Sequence, residues 1–237
     1  MDLSIVIVNW NTKALLSRCL RSVYDTVSEL AFEVFVVDNG SQDGSAEMVR
    51  EAFPQVHLME SGENLGFAGA NNLAIEQGRG RHVLLLNPDV FVKQRAIEEL
   101  VAFIDAHPEA GVAGGRLFYP DGRLQISCTP FPTFSSELYR LASLDKLLPG
   151  GPELGHYGAA CTVSDGACEV DVVLGALMMV RRQAIEQVGL LDASFFMYSE
   201  EVDWCYRIKA GGWSVYYVPH AEATHVGGAS TEQAKAE

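Results

Sequence analysis

The chain has 237 residues, 48% of them hydrophobic, enough for one sizeable core. A net charge of −14 and a pI near 4.8 argue against nucleic-acid backbones or anionic lipid as the main partner, though not against a small polyanion whose charge a bound metal offsets. No apolar run approaches the roughly 20 residues that span a bilayer. Five scattered cysteines without a C-x-x-C pair suit a reducing compartment and argue against a zinc site.

The chain opens Met1-Asp2 and runs straight into a strand, Leu3 to Val8, so no N-terminal targeting segment is expected. Asn9-Trp10-Asn11-Thr12 follows as a polar turn. Thr12 is placed to cap a helix whose apolar stripe is Leu16, Leu20, Val23 and Val27. A second strand, Phe32 to Val37, ends in Asp38-Asn39-Gly40-Ser41, and a short helix passes through Met48, Val49 and Ala52. Val56 to Met59 is a third short strand. Asn64-Leu65-Gly66-Phe67-Ala68-Gly69 opens a small-residue helix running to Gln77, with Gly78 as its terminator. His82 to Leu86 reads as a strand buried on both faces, and Asn87-Pro88 ends it because proline has no N–H for the ladder. Ile97, Leu100, Val101 and Ile104 stripe the next helix.

This alternation predicts a parallel sheet with helices on both faces. Asn9, Asp38, Asn64 and Asp89 then fall at one edge of it, where open α/β sheets bind ligands.

The second half is less regular. Val112 starts a strand, and Tyr119-Pro120-Asp121-Gly122-Arg123 is a hairpin turn. Residues 128–168, rich in Pro and Gly, read as a long loop around a short Leu138–Leu148 helix. Val170 to Val173 and Ala176 to Val180 are strand-like, and Arg181-Arg182 leads a short helix to Val188. Ser199 to Arg207 opens a helix ended by Gly211-Gly212. Val215 to Val218 is a strand, and Thr224-His225-Val226-Gly227-Gly228 is a glycine-rich turn.

Each polar motif has two readings. Asp89 can hold a divalent cation against a phosphate, or Asn87-Pro88-Asp89 can be a plain turn. Asp38 can accept hydrogen bonds from a ribose or base edge, or form an Asx-turn. The amides near Gly66 can face phosphate, or the glycines can serve close helix–sheet packing. Glu200, Glu201 and Asp203 complement a helix N-terminus, or their repulsion raises one pKa toward that of a general base. His225 is a satisfied histidine or a metal ligand. Imidazole with the Asp89 carboxylate suits Mn²⁺; carboxylate with phosphate oxygens suits Mg²⁺.

Taken in order, Ser4 to Asn11, Val36 to Ser41, Glu63 to Asn72, Leu84 to Asp89, Gly175 to Arg182, Phe195 to Asp203 and His225 to Gly228 resemble the family 2 glycosyltransferases, within them the rhamnosyltransferase-like branch. The resemblance implies a single GT-A domain over 1–237: a Rossmann-like nucleotide-diphospho-sugar transferase fold, with a mostly parallel central sheet, helices on both faces and a small antiparallel addition. Residues 1–110 form its nucleotide-sugar half and 111–237 its acceptor and catalytic half. It implies an inverting, metal-assisted transfer, rhamnose from dTDP-rhamnose or a sugar from a UDP-sugar, to a glycan or lipid-linked acceptor in cell-surface polysaccharide synthesis. The enzyme would be cytoplasmic, peripheral to the inner face of the membrane where the acceptor is lipid-linked. Asp89 is the implied ligand of Mg²⁺ or Mn²⁺, Asn87 a weaker neighbour and His225 the group completing metal or diphosphate binding. Asp38 is implied at the nucleoside, with Asn9 and Asn64 lining the same pocket.

Two departures stand out. Glu201 occupies the place of the family's catalytic aspartate, so either Glu201 or Asp203 takes the proton, with Glu201 favoured. The chain also stops soon after His225, where relatives continue. Two other readings compete: a non-catalytic sugar-nucleotide or glycan-binding module, and a sugar-1-phosphate nucleotidyltransferase. The latter wants a glycine-rich loop after the first strand, and Asn9-Trp10-Asn11-Thr12-Lys13 has no glycine. The module would tolerate loss of the acidic cluster and His225, and both are present.

Overall fold

The computed structural model describes residues 1–133 and 165–227. Most of the expected 128–168 loop, its Leu138–Leu148 helix and Gly228 lie outside them. The first half alternates as expected: β1 (Leu3–Asn9), α1 (Lys13–Thr26), β2 (Phe32–Asp38), α2 (Ser45–Ala52), β3 (His57–Glu60), α3 (Gly66–Gln77) and β4 (His82–Leu86). There follow β5 (Val90–Val92), α4 (Ala96–Ala106), β6 (Ala110–Phe118), β7 (Leu124–Gln125), β8 (Cys128–Thr129), β9 (Cys168–Val170), β10 (Val172–Val173), β11 (Leu177–Arg181), α5 (Arg182–Val188), α6 (Glu200–Ala210) and β12 (Ser214–His225).

One sheet carries ten of these strands. Its main path runs β3-β2-β1-β4-β11-β6-β12-β5, with β7 added to β6 and β9 to β12. The β3-β2-β1-β4 block is parallel, and β12 is parallel to β6. β11 is wedged antiparallel between β4 and β6, and β5 is antiparallel on β12. The fold is α/β with a mostly parallel sheet and antiparallel additions.

Strand residues point alternately to two cores. Leu3, Ile5, Ile7, Leu84 and Leu86 pack with α1, α2 and α4; Val6, Val37, Val83 and Leu85 pack with α3, α5 and α6. Every residue of β4 is buried, as expected of an inner strand covered on both faces. Truncating Leu85 to Ala would cost about 2–5 kcal/mol.

Four local expectations differ. Thr12 makes no side-chain cap; its hydroxyl donates to Asn9 Oδ1 at 2.6 Å, while the Lys13 amide is met by Asp43 Oδ2 at 2.8 Å. Gly78 ends α3 in extended backbone, not left-handed; glycine is needed there for space, since a Cβ would meet Ser4 Oγ at 2.7 Å. The strand at Val215 passes through Pro219, whose missing N–H falls within a register shift between Val218 and Glu222. It continues to His225, so residues 224 and 225 are strand and not turn. Lastly, β5 is too short for its period to be visible. Among the described residues no helix is long and apolar enough to cross a membrane.

Candidate active site

The β5–β12 register builds the centre of the site. His225 pairs with Val90, and the Val226 amide donates to the Asp89 carbonyl at 3.1 Å. This brings residues 136 positions apart side by side. His225 Nε2 lies 3.4 Å from Asp89 Oδ1, and both residues are buried. Asp89 Oδ2 accepts the Gly227 amide at 3.0 Å, and His225 Nδ1 lies 2.9 Å from Gln125 Oε1.

Asp89 and His225 open onto a cavity of about 260 Å³ beyond the carboxyl ends of β1, β2 and β4. Asn87, Asn39 and Asn64 line the same cavity, as do Glu200 and Glu201 from the start of α6. Asn87 is fixed by its backbone N–H, which donates to the Ala176 carbonyl at 3.0 Å, next to β11.

The β1 and β2 ends form a buried polar network. Asn9 Nδ2 donates to Asp38 Oδ1 at 3.1 Å and to Ser41 Oγ at 3.0 Å, while the Ser41 amide donates to Asp38 Oδ2 at 3.0 Å. Asn9 is fully buried and Asp38 is 4% exposed, so they sit behind the cavity wall. Asn39 forms that wall. Its amide nitrogen donates to Asn64 Oδ1 at 2.8 Å, and its oxygen accepts the Leu65 amide at 2.9 Å. Asn39 lies inside the motif Val36 to Ser41 with no local signal of its own, because it joins two loops that only the fold brings together.

The first two amides of α3 are taken. Gly66 N donates to Asn64 Oδ1 at 3.0 Å and Phe67 N to Phe196 O at 2.9 Å. This favours the packing reading of the glycines over phosphate binding.

The acidic cluster separates. Asp203 Oδ2 accepts Arg207 Nε at 2.7 Å, and Asp203 does not line the cavity. Glu200 and Glu201 do, and each has a buried Oε2 without a hydrogen-bond partner. Burial pushes the Glu200 carboxyl up to about 7, with the Glu201 charge adding to the shift. Burial also raises Glu201, against backbone amide bonds that lower it. Two buried carboxyl oxygens without partners, both on groups whose pKa burial raises, thus face the same cavity.

The family model for glycosyl transferase family 2 matches residues 4–162, more than half the chain. The chain belongs to this family. An N-acetylglucosaminyl-diphospho-decaprenol L-rhamnosyltransferase of Mycobacterium tuberculosis is 31% identical, over 94% of this chain and 75% of its own length. Among solved structures, a mannosyltransferase from Pyrobaculum calidifontis in complex with GDP-Man and Mn²⁺ superposes with a TM-score of 0.65 at 19% identity, covering 95% of this chain and 56% of its own. GalNAc-T7 with UDP, GalNAc and Mn²⁺ gives 0.70 at 17% identity, covering 95% and 44%. The chain thus spans about half the length of these structures. The fold of this family 2 glycosyltransferase is GT-A, as the resemblance implied.

Proposed function

We propose that this glycosyltransferase moves a hexose with inversion, rhamnose from dTDP-rhamnose foremost and a sugar from a UDP-sugar second, to a hydroxyl of a glycan or lipid-linked acceptor. The observation that carries this reading is one cavity faced by the Asp89–His225 pair and by the unpartnered carboxylate oxygens of Glu200 and Glu201. The name of the M. tuberculosis relative supports the sugar and the lipid-linked acceptor. Such an acceptor would place the enzyme at the inner face of the cytoplasmic membrane, in cell-surface polysaccharide synthesis.

The donor set fits a divalent cation. Asp89 Oδ1 and His225 Nε2 turn toward one point 3.4 Å apart, a carboxylate and an imidazole that could share one cation between them. Among the described residues no cluster of three or more His, Cys, Asp or Glu surrounds this point. Asp89 and His225 would be the protein's two ligands, leaving the rest of the shell to diphosphate oxygens of the donor. Mg²⁺ or Mn²⁺ bound there would supply positive charge against that growing on the departing diphosphate.

The protein's own residues do the rest. Asn39 and Asn64 shape the wall that meets the nucleoside, and Asp38, held by Asn9 and Ser41 behind that wall, fixes it in place. Asn87 is the weaker neighbour beside Asp89. Glu201 takes the proton of the acceptor hydroxyl as its oxygen bonds to the anomeric carbon from the face opposite the diphosphate. The bond to the diphosphate oxygen breaks and carries its electron pair away, through an oxocarbenium-like transition state. Asp203, committed to Arg207, is not the base. A raised pKa brings Glu201 nearer to the working pH, where general-base help is typically worth about 10²–10⁴-fold.

The test is a donor panel of dTDP-rhamnose, UDP-sugars and GDP-mannose, with and without Mn²⁺, read by nucleotide release and by the anomeric configuration of the product. Nucleotide-sugar binding without release or transfer, from every donor, would leave only a binding module.

A further inference from the structure

The geometry points to Gln125 as the residue that sets the His225 ring for metal binding, by accepting its Nδ1 proton and leaving the Nε2 lone pair turned to Asp89. The inference rests on the metal site proposed above.

Gln125 lies in β7, a two-residue strand held against β6 by the pairing of Gln125 with Leu117 and Leu124 with Phe118. Its neighbours Leu124 and Ile126 are 36% and 55% exposed, and strand alternation turns Gln125 the other way, toward His225. A carboxamide oxygen only accepts, so Oε1 at 2.9 Å from Nδ1 is satisfied when the ring carries its proton on Nδ1. A neutral ring in that tautomer has its free pair on Nε2, the form a metal takes. The opposite tautomer would make Nε2–H a donor to Asp89, yet 3.4 Å is longer than the usual 2.7–3.2 Å for such a bond.

The two ligands are braced in parallel. Gly227 N–H holds Asp89 Oδ2, and Gln125 Oε1 holds His225 Nδ1, so one ligating atom of each residue stays free. The Gln125 amide nitrogen lies beside Gly227, 3.6 Å from where a Cβ would stand. The β7 hairpin thus abuts both ends of the pair. Gln125 is a positioning residue: it reaches the ion only through the imidazole. Loss of such an outer partner typically weakens metal affinity about 10–100-fold.

The experiment uses the full chain as wild type, Gln125→Met, which keeps length without an acceptor, and Gln125→Glu, which keeps the acceptor. His225→Ala is the control for the site. Mn²⁺ binding is followed by the electron paramagnetic resonance of the free ion, with and without UDP. The His225 tautomer is read in the metal-free wild type near pH 8, from long-range ¹H–¹⁵N correlations assigned by their loss in His225→Ala. Expected are a ring protonated at Nδ1, Mn²⁺ affinity about 10–100-fold weaker in Gln125→Met with an unchanged thermal midpoint, and affinity restored in Gln125→Glu. A wild-type ring protonated at Nε2 overturns the inference even if the variants fold poorly. Mn²⁺ binding lost in His225→Ala but kept in Gln125→Met overturns the role of Gln125 and leaves the metal site standing. Mn²⁺ binding unchanged in His225→Ala removes both.

Discussion

The Phe67 amide donates to the Phe196 carbonyl at 2.9 Å and ties the start of α3 to the turn that delivers Glu200 and Glu201. Gly66 permits the approach. Its φ is +74°, and a Cβ there would stand 2.4 Å from the Phe196 carbonyl oxygen. Tyr198 and Ser199 in the same turn hold φ values of 69° and 75°, a strain that persists only where the surroundings impose it. Gly66→Ala should therefore lose about 2–4 kcal/mol in urea unfolding, from left-handed backbone plus overpacking. It should also lower turnover by shifting the turn. Wild-type stability and turnover in this variant would deny the contact that role.

Glu201 and Asp203 are told apart by substitution. Glu201→Gln should lose about 10²–10⁴-fold in kcat while binding the donor as wild type does. Asp203→Asn gives up a part-exposed ion pair with Arg207, worth about 0.3–1 kcal/mol, and should keep turnover within about tenfold. Arg207 keeps its bonds to the Val188 and Leu190 carbonyls, which hold it in place. The opposite pattern of rates would hand the proton to Asp203.

Glu200 makes stability depend on pH. Its carboxyl rises from an ordinary 4.5 to about 7 on folding, so between those values the folded protein keeps a proton the unfolded chain has released. Stability should fall as pH rises from about 4.5 to about 7 and then level off. Glu201, raised in the same direction, adds to the slope. Glu200→Gln should flatten the curve, so that the variant gains on wild type with rising pH. Urea unfolding across the window checks this, and a wild type that gains on the variant as pH rises would contradict the buried, protonated state of Glu200.

Asp89→Asn tests the metal ligand at constant shape. The amide oxygen can still accept the Gly227 amide, so the fold should hold. The charge facing His225 is gone, and thermal protection by Mn²⁺ with UDP should disappear, along with metal-dependent turnover. Protection equal to wild type would remove Asp89 from the site.

Much of this was legible in the chain itself. Buried runs such as Leu84-Leu85-Leu86, striped helices and polar residues just past each strand are local signals, and they gave the parallel half and one polar sheet edge. Tertiary structure decided the rest, because its causes are not local. Val90–Val92 is too short to declare itself as a strand, and Pro219 masks the continuity of β12, yet the pairing of these two segments sets Asp89 beside His225. Gln125 has no signal of its own, since one glutamine in a hairpin becomes informative only when His225 arrives across the sheet. Two positions apart on α6, Glu201 and Asp203 stand about 200° apart around the axis, so the sequence implied that they face different surroundings. Only packing could choose which one met the cavity, because that choice follows from which side of α6 buries Trp204 and Ile208 against the sheet.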